Sequence, residues 1–289
     1  MKLRYCISVA AVILAGIVLA RTFAQASPQA SAKIKEAAAK PTPRLADGHP
    51  NLSGAWIGVG QGEDTAAHQG ANGTIFIDVP PDKGGPKPDV DRTPDEQFVK
   101  VPDKNPPPYN PELLAKVNQL GTDKVKYDPN YGCNPPGVPR AGAPAQIVET
   151  PGLAVFLYVG EYGQSARLIP TDGRQHRTDV DPSYFGDSIG HWEGDTLVID
   201  VTHISENTWL ANGTGGQQGS GYFHSDALHV VERLTRKGDT LRWEATVEDP
   251  EVLTKPWSPN PQTRILSDEN VYEKPPCFER ETPHMVNKY

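Results

Sequence analysis

The second half of the chain consists of short strand-like segments separated by tight turns, and this spacing constrains the fold more than any other feature. The segments are 4 to 9 residues long, and turn sequences such as Asp172-Gly173 and Lys237-Gly238-Asp239 separate them. The intervals leave no room for the crossover helices that parallel strands need, so the strands must be antiparallel. The predicted strands are 146–149, 153–158, 166–170, 188–192, 196–203, 228–236 and 240–248.

We next expect this sheet to close on itself. An open meander of so many strands exposes unpaired edges, and closing it into a barrel removes them. The 29 Pro and 27 Gly of the chain favour turns over long helices. Gly54-Ala55-Trp56 resembles the Gly-x-Trp opening strand of lipocalins, in which the Trp closes the barrel base. We therefore predict a mainly β fold, an antiparallel meander closed into a calycin- or lipocalin-like barrel or curled into a sandwich.

One short helix is predicted over 110–120, ahead of the strands. Asn110 can accept hydrogen bonds from the free N–H groups of the first turn, and Pro111 suits the first helical position. An apolar stripe along the segment and Gly121 after it complete the helix pattern. Residues 58–108 are dominated by Gly, Pro and Asp, and this composition predicts long surface loops.

The first residues carry the pattern of an export signal. Lys2 and Arg4 precede an apolar run of 14 residues, 7–20, which is too short to span a membrane comfortably. An Ala-x-Ala site at 24–26 predicts cleavage before Ser27, and an uncleaved anchor is the alternative. We predict an exported protein, periplasmic or secreted, with no stable membrane anchor after cleavage. The predicted parts in chain order are a signal peptide (1–26), a mobile leader (27–51), a single β domain (52–281) and a tail (282–289).

The net charge of the chain restricts the classes of partner that we expect it to bind. The chain has 28 Lys and Arg against 36 Asp and Glu, a formal charge of −8. Cleavage would remove Lys2, Arg4 and Arg21 and take the charge to −11. Nucleic-acid binding needs a positive surface, so we predict no nucleic-acid partner. A small-molecule ligand that is uncharged or apolar suits this charge better than an anion. The sequence does not determine the oligomeric state.

Two cysteines remain after cleavage, Cys133 and Cys277, and each lies beside paired prolines. An oxidising compartment favours a disulfide between them, with two unrelated buried thiols as the alternative. The sequence has no C-x-x-C motif, so the predicted disulfide is structural rather than catalytic.

Several motifs of the β region resemble those of an uncharacterised family of exported bacterial proteins. They include the signature GDSxGxWEGDTLVxD within 184–200, and the shorter stretches 171–176, 224–226, 232–233 and 248–250. The resemblance covers roughly residues 130–280 and implies a bacterial secretory protein. It implies no activity, cofactor or catalytic residue, so the site has to be predicted from chemistry.

The histidines are the strongest sequence indication of a functional site, since five of the eight lie between 176 and 229. Three imidazoles with an acid would suit zinc, but the sequence has no H-x-H, H-E-x-x-H or C-x-x-C spacing. We predict neither a metal nor another cofactor. A His oriented by a carboxylate can instead act as a general acid or base near neutral pH. His176 and His224 lie in loops at strand ends, where sites on β scaffolds usually form. The available carboxylates are Asp172, Asp187, Asp226 and Glu232.

Glu232 is the least ordinary acid, because it shares a strand face with Leu228, Val230 and Leu234. A buried carboxylate must pair, here with Arg167 or Arg174, or its pKa must rise. It is therefore either a structural ion pair or a proton donor at a cavity floor.

The predicted catalytic residues are His176, His224, Glu232 and Asp172. If strands 166–170 and 228–236 are antiparallel to each other, the first three of these residues converge on one cavity.

The predicted substrate-binding residues are Arg174 and three aromatics, Trp209, Tyr222 and Phe223, which flank a Gly-rich loop at 211–221. Such a loop is either a lid or a plain connection. We predict an exported small-molecule-binding barrel, an enzyme of lyase, isomerase or hydrolase type that uses His and carboxylate acid–base chemistry. The alternative is a non-catalytic periplasmic ligand-binding barrel.

Overall fold

The computed structural model describes residues 28–59, 66–69, 75–78, 105–122, 124–160, 163–211, 221–273 and 277. The strands are β1 Gly54–Gly58, β2 Ala66–Gln69, β3 Ile75–Asp78, β4 Gln146–Thr150, β5 Leu153–Gly160, β6 Gly163–Pro170, β7 Asp187–Glu193, β8 Thr196–Thr202, β9 His229–Lys237, β10 Thr240–Glu248 and β11 Gln262–Ser267. Nine antiparallel strands form one sheet in the order β6-β5-β4-β1-β11-β10-β9-β8-β7, curled into a nearly closed barrel. A separate two-stranded sheet pairs β2 with β3.

The two outermost strands of the sheet, β6 and β7, meet through side chains rather than a backbone ladder. Arg167 Nε on β6 donates to Ser188 Oγ on β7 at 2.9 Å. Gly190 on β7 lies so close to β6 that a Cβ there would be 3.1 Å from the Ile169 side chain. The predicted barrel is confirmed, but β1 inserts between β4 and β11, so the meander is interrupted.

Strand alternation places the core inside this barrel. On β10, Leu241, Trp243, Ala245 and Val247 are buried, while the residues between them face outward. The same period of two buries Val230, Glu232 and Leu234 on β9. The inward face of β9 is therefore apolar except at Glu232 and Arg236.

The predicted helix is present as a 3₁₀ turn, Pro111–Leu113, followed by α2, Leu114–Thr122. Asn110 does not cap this turn with its side chain, because its amide instead donates to the Glu251 carbonyl at 3.2 Å. Two further short elements follow, α3 at Lys124–Tyr127 and a 3₁₀ turn at Pro129–Gly132.

The segment expected to be a mobile leader is attached to the barrel. It begins with α1, Pro28–Ala38, and the backbone N–H of Asp239 donates to the Ala37 carbonyl at 2.9 Å. Arg44 binds both carboxylate oxygens of Asp195, at 2.8 and 2.7 Å, and the His49 ring stacks on Trp192. These partners lie in or beside the hairpin turns of the barrel, far away in sequence, so the local composition of the segment does not indicate them. The predicted signal peptide and tail lie outside the described residues.

Cys133 and Cys277 form a disulfide, which confirms the predicted pair. The two Cα atoms are 5.7 Å apart and the residues are 144 positions apart in sequence. The bond fastens the segment after β11 to the segment between the helices and β4. Among the described residues, no helix is both long and apolar enough to cross a membrane.

Candidate functional site

An ion pair lies inside the barrel, where the alternation of β9 and β6 turns two charged residues inward. Glu232 on β9 is fully buried, and its Oε2 is 2.5 Å from Arg167 Nη1 on β6. Trp243 on β10 donates from Nε1 to Glu232 Oε1 at 2.8 Å. Of the two arginines considered from sequence, Arg167 is the partner.

Tyr158 and Ser188 extend this interior cluster. Arg167 Nη1 lies 3.4 Å from the Tyr158 hydroxyl, and Arg167 Nε donates to Ser188 Oγ. Burial raises the pKa of Tyr158 to about 12, opposed by Arg167 and reinforced by Glu232. Burial also works to lower the pKa of Arg167, but the Glu232 carboxylate outweighs it and the net direction is upward. Tyr158 is therefore a neutral phenol beside a permanent cation.

A second guanidinium, Arg264 on β11, faces the same interior. It pairs in register with inward-facing Leu241, and its Nη1 donates to the Trp56 carbonyl at 3.2 Å. Burial lowers the pKa of Arg264. Its Nε atom and Arg167 Nη2 are both buried with no hydrogen-bond partner among the described residues. We call Arg167, Glu232, Tyr158, Ser188, Trp243 and Arg264 the interior cluster.

A second charged cluster lies on the outer face of β7, β8 and β9. His176, in the connection between β6 and β7, has Nδ1 at 2.8 Å from Asp187 Oδ2 and Nε2 at 2.8 Å from Asp200 Oδ1. His229 Nε2 is 3.0 Å from the other oxygen of Asp200. Arg177 Nε donates to Asp187 Oδ1 at 2.6 Å. We call these five residues the outer cluster.

Electrostatics within the outer cluster favour the charged carboxylate. Burial works to raise the pKa of Asp187, but the hydrogen bonds from His176 and Arg177 outweigh it and the pKa is lowered. Because both ring nitrogens of His176 face carboxylate oxygens, neither is open to a substrate. The cluster holds the β6–β7 connection against the sheet.

The structure does not bring His176 and Glu232 together. Glu232 pairs in register with Ile199, which is buried, whereas Asp200 is the next residue on β8 and faces outward. His176 binds Asp200, so it lies on the opposite face of the sheet from Glu232. The expected convergence assumed that strand direction fixes the site, but the β6–β7 connection folds back over the outer face to reach Asp187 and Asp200.

His224 occupies a third environment. Its ring is buried, with Nε2 at 2.8 Å from Thr208 Oγ1 and Nδ1 at 2.8 Å from the Ser225 carbonyl oxygen. Burial lowers the pKa of His224. Its hydrogen-bond partners belong to neither cluster, so the structure places it apart from His176 and Glu232.

Asp172 and Arg174 bind each other rather than a catalytic group. Arg174 Nη2 donates to Asp172 Oδ2 at 2.6 Å, and both side chains are exposed. The hydrogen bond from Arg174 lowers the pKa of Asp172 to about 2. The carboxylates that contact His176 are Asp187, which the sequence had offered, and Asp200, which it had not. Asp200 was missed because its role depends on a loop crossing the sheet face.

The three predicted substrate-binding aromatics are core residues. Trp209, Tyr222 and Phe223 are all buried, and the Leu210 N–H donates to the Tyr222 carbonyl at 2.7 Å. The Tyr109 hydroxyl donates to the Phe223 carbonyl. The Gly-rich loop between them lies outside the described residues except at its ends, so a lid there stays a prediction.

Metal binding has no support in the described part of the chain, where no group of three His, Cys, Asp or Glu is arranged to hold an ion. The interior cluster can offer N–H donors in a dry environment, and the outer cluster can anchor a loop. Comparisons of this chain with protein-family models, with curated proteins and with solved structures found no match.

Proposed function

We propose that this protein binds a small organic molecule inside the barrel, with the interior cluster contacting the polar end of the ligand. One observation carries the proposal: Arg167, a fully buried cation, keeps a donor atom, Nη2, that no described residue accepts. An unmet donor on a buried charged group costs about 1–3 kcal/mol or more. Ligand sites typically combine an apolar lining with a few such polar groups.

The aromatic surroundings support the same function. Tyr158 stacks on Phe185 with ring centroids 5.1 Å apart, and Trp243 donates to Glu232. These rings supply the apolar contact surface that an organic ligand needs, beside the charged atoms that would orient it.

Binding without turnover fits the positions of the predicted catalytic residues better than catalysis does. A general base needs a free ring nitrogen beside the substrate. Both nitrogens of His176 face carboxylates, and both nitrogens of His224 are hydrogen-bonded in the core. Of the two functions predicted from sequence, we therefore propose the non-catalytic ligand-binding barrel and place lyase, isomerase or hydrolase chemistry second.

Export is part of this proposal. The disulfide between Cys133 and Cys277 is compatible with an oxidising compartment. The signal pattern in 1–26 and the resemblance to exported bacterial proteins point the same way. We therefore propose that the protein is a periplasmic or secreted binding protein.

Native mass spectrometry with eight-carbon probes tests the function. We would offer octanoate, octanamide and 1-octanol, and map any bound probe by hydrogen–deuterium exchange. The expected result is a one-to-one complex with slower exchange in β6, β9 and β10, and no change at 171–182. Binding should persist in the outer-face variant Asp200→Asn. Failure of all three probes to bind, or protection confined to 171–182, would overturn the proposal.

A further inference from the structure

The interior cluster contains more positive than negative charge. Within this cluster, Arg167 and Arg264 are the guanidinium groups, and Glu232 is the carboxylate that pairs with one of them. Arg236 also faces inward on β9, but it lies outside this cluster and binds Asp239 and two backbone carbonyls. Tyr158 adds no charge, since burial raises its pKa to about 12. The formal charge of this cluster is therefore one positive unit in excess.

The other buried arginines show how this protein normally satisfies a guanidinium. Arg140 forms two hydrogen bonds with Asp128, both 2.7 Å long. Arg236 donates from Nε to the Gly238 carbonyl, from Nη1 to the Asn51 carbonyl and from Nη2 to Asp239. Against these two arginines, Arg167 and Arg264 each keep a buried nitrogen that no described residue accepts. In the same cluster Glu232 Oε2 forms the ion pair with Arg167 Nη1 but no hydrogen bond of regular geometry.

Both arginines with an unpaired donor face the interior of the barrel. The Tyr158 hydroxyl accepts from Arg167 Nη1 at 3.4 Å. Arg264 lies opposite inward-facing Leu241, and its positive charge works to lower the pKa of Tyr158. Their free donors, Arg167 Nη2 and Arg264 Nε, are both shielded from solvent. One small acceptor group beside Tyr158 would serve both arginines.

We infer that the ligand carries a single carboxylate, which Arg167 Nη2 and Arg264 Nε bind beside Tyr158. This inference rests on the proposed function and names the ligand class for that site. A carboxylate carries one negative charge, equal to the excess of the cluster, and its two oxygens match guanidinium donors. A phosphate monoester carries about −1.5 to −2 and would overcompensate the site.

The inferred ligand differs from the uncharged one that whole-chain charge favoured. Surface charges are screened over about 8 Å at physiological salt, whereas contacts inside the barrel are screened much less. The local sign of the interior therefore decides the ligand class, and the acidic surface affects mainly the rate of encounter.

Matched probes and one variant test this inference. Calorimetric titration would compare octanoate with octanamide, methyl octanoate and octyl phosphate at pH 7.5. The test variant is Arg264→Met, which leaves the Arg167–Glu232 pair in place, and the control is Arg242→Met on the outward face of β10. We expect octanoate to bind at least tenfold more tightly than any other probe, and Arg264→Met to remove most of that preference.

The outcomes separate the two claims. If octanoate and octanamide bind equally well, and Arg264→Met changes neither, the carboxylate inference is wrong while the binding function stands. If octyl phosphate binds more tightly than octanoate, the monoanion inference is also wrong. If no probe binds, the proposed function itself fails. A thermal melt of Arg264→Met without ligand shows that the variant is folded, and the double variant Arg167→Met/Glu232→Leu provides a second, charge-neutral removal of the site.

Discussion

The interior and outer clusters both contain a carboxylate paired with a nitrogen-bearing side chain, but the interior pair is buried and the outer pair is partly exposed. The Arg167–Glu232 pair, 2.5 Å long, has side chains only 2% and 0% exposed. The His229–Asp200 pair, 3.0 Å long, has side chains 35% and 34% exposed. Water can complete the hydrogen bonding of the outer pair, but it does not reach the Arg167–Glu232 pair. Burial, rather than the presence of a charged pair, therefore separates the chemistry of the two clusters.

This difference explains why only the interior cluster points to a ligand. An exposed ion pair typically contributes about 0–1 kcal/mol, and its remaining donors are solvated. A buried charge must be matched by protein or ligand atoms, because leaving it unmatched costs several kcal/mol. The unpaired nitrogen atoms of Arg167 and Arg264 indicate a ligand because they are buried, not because they belong to arginine.

The largest predicted effect comes from breaking the interior pair. Glu232→Gln leaves the Arg167 cation buried without a carboxylate, and we expect it to lower the free energy of unfolding by about 3–5 kcal/mol. Urea denaturation measures the change. The double variant Arg167→Met/Glu232→Leu should recover most of the loss, because it removes both charges at similar volume. A loss under 1 kcal/mol for Glu232→Gln would contradict the assigned pair.

The second effect concerns the outer cluster. Asp187→Asn removes the carboxylate that holds His176 and Arg177, and we expect a loss of about 1.5–3 kcal/mol, the range for hydrogen bonds to charged groups. Trypsin should then cleave faster after Arg177, which lies in the released loop. Unchanged cleavage would show that other contacts hold the loop.

Acid titration sharpens the same comparison. Because the folded pKa of Asp187 is lowered, its carboxylate adds stability above the unfolded pKa of about 3.9 and loses it as the pH falls through the folded pKa. The difference between wild type and Asp187→Asn should therefore shrink below about pH 4. A difference that stays constant to pH 2 would contradict the shift.

His224 is a buried group that has no carboxylate among its hydrogen-bond partners, and its effect is smaller at neutral pH. Burial lowers its pKa, so the unfolded chain binds more protons than the folded chain below about pH 6.5. Stability should fall by up to about 1.4 kcal/mol per pH unit until the folded pKa is reached. His224→Gln should flatten this slope, while the exposed His191→Gln should keep it. Equal slopes in all three proteins would contradict the prediction.

The smallest effect is expected at a fully surface pair on β10. Arg242 Nη2 lies 2.8 Å from Glu244 Oε1, and both side chains are about half exposed. Arg242→Ala should not change the urea midpoint measurably, because water replaces the lost contact. A clear shift would mean that distance alone, rather than burial, sets the strength of the pairs in this protein.

Local chemistry in the sequence predicted the barrel and part of the interior. The period of two in β10 shows which side chains face inward, and the same period shows that Glu232 is buried. Arg167 was one of two partners considered for it, and the cysteine pair followed from count and compartment. Arg264 was not found, because no strand was predicted over 262–267, the residues that form β11.

The sequence by itself determined the antiparallel strands, their inward faces and the need for Glu232 to pair, because each follows from residues close together in the chain. Only the tertiary structure decided that the His176 loop lies outside the barrel, that residues 28–51 attach to it, and that Arg264 faces the barrel interior. Those features depend on contacts such as Arg44 with Asp195, which are 151 residues apart. Which distant groups meet is set by how the sheet curls, and no local pattern records that curvature.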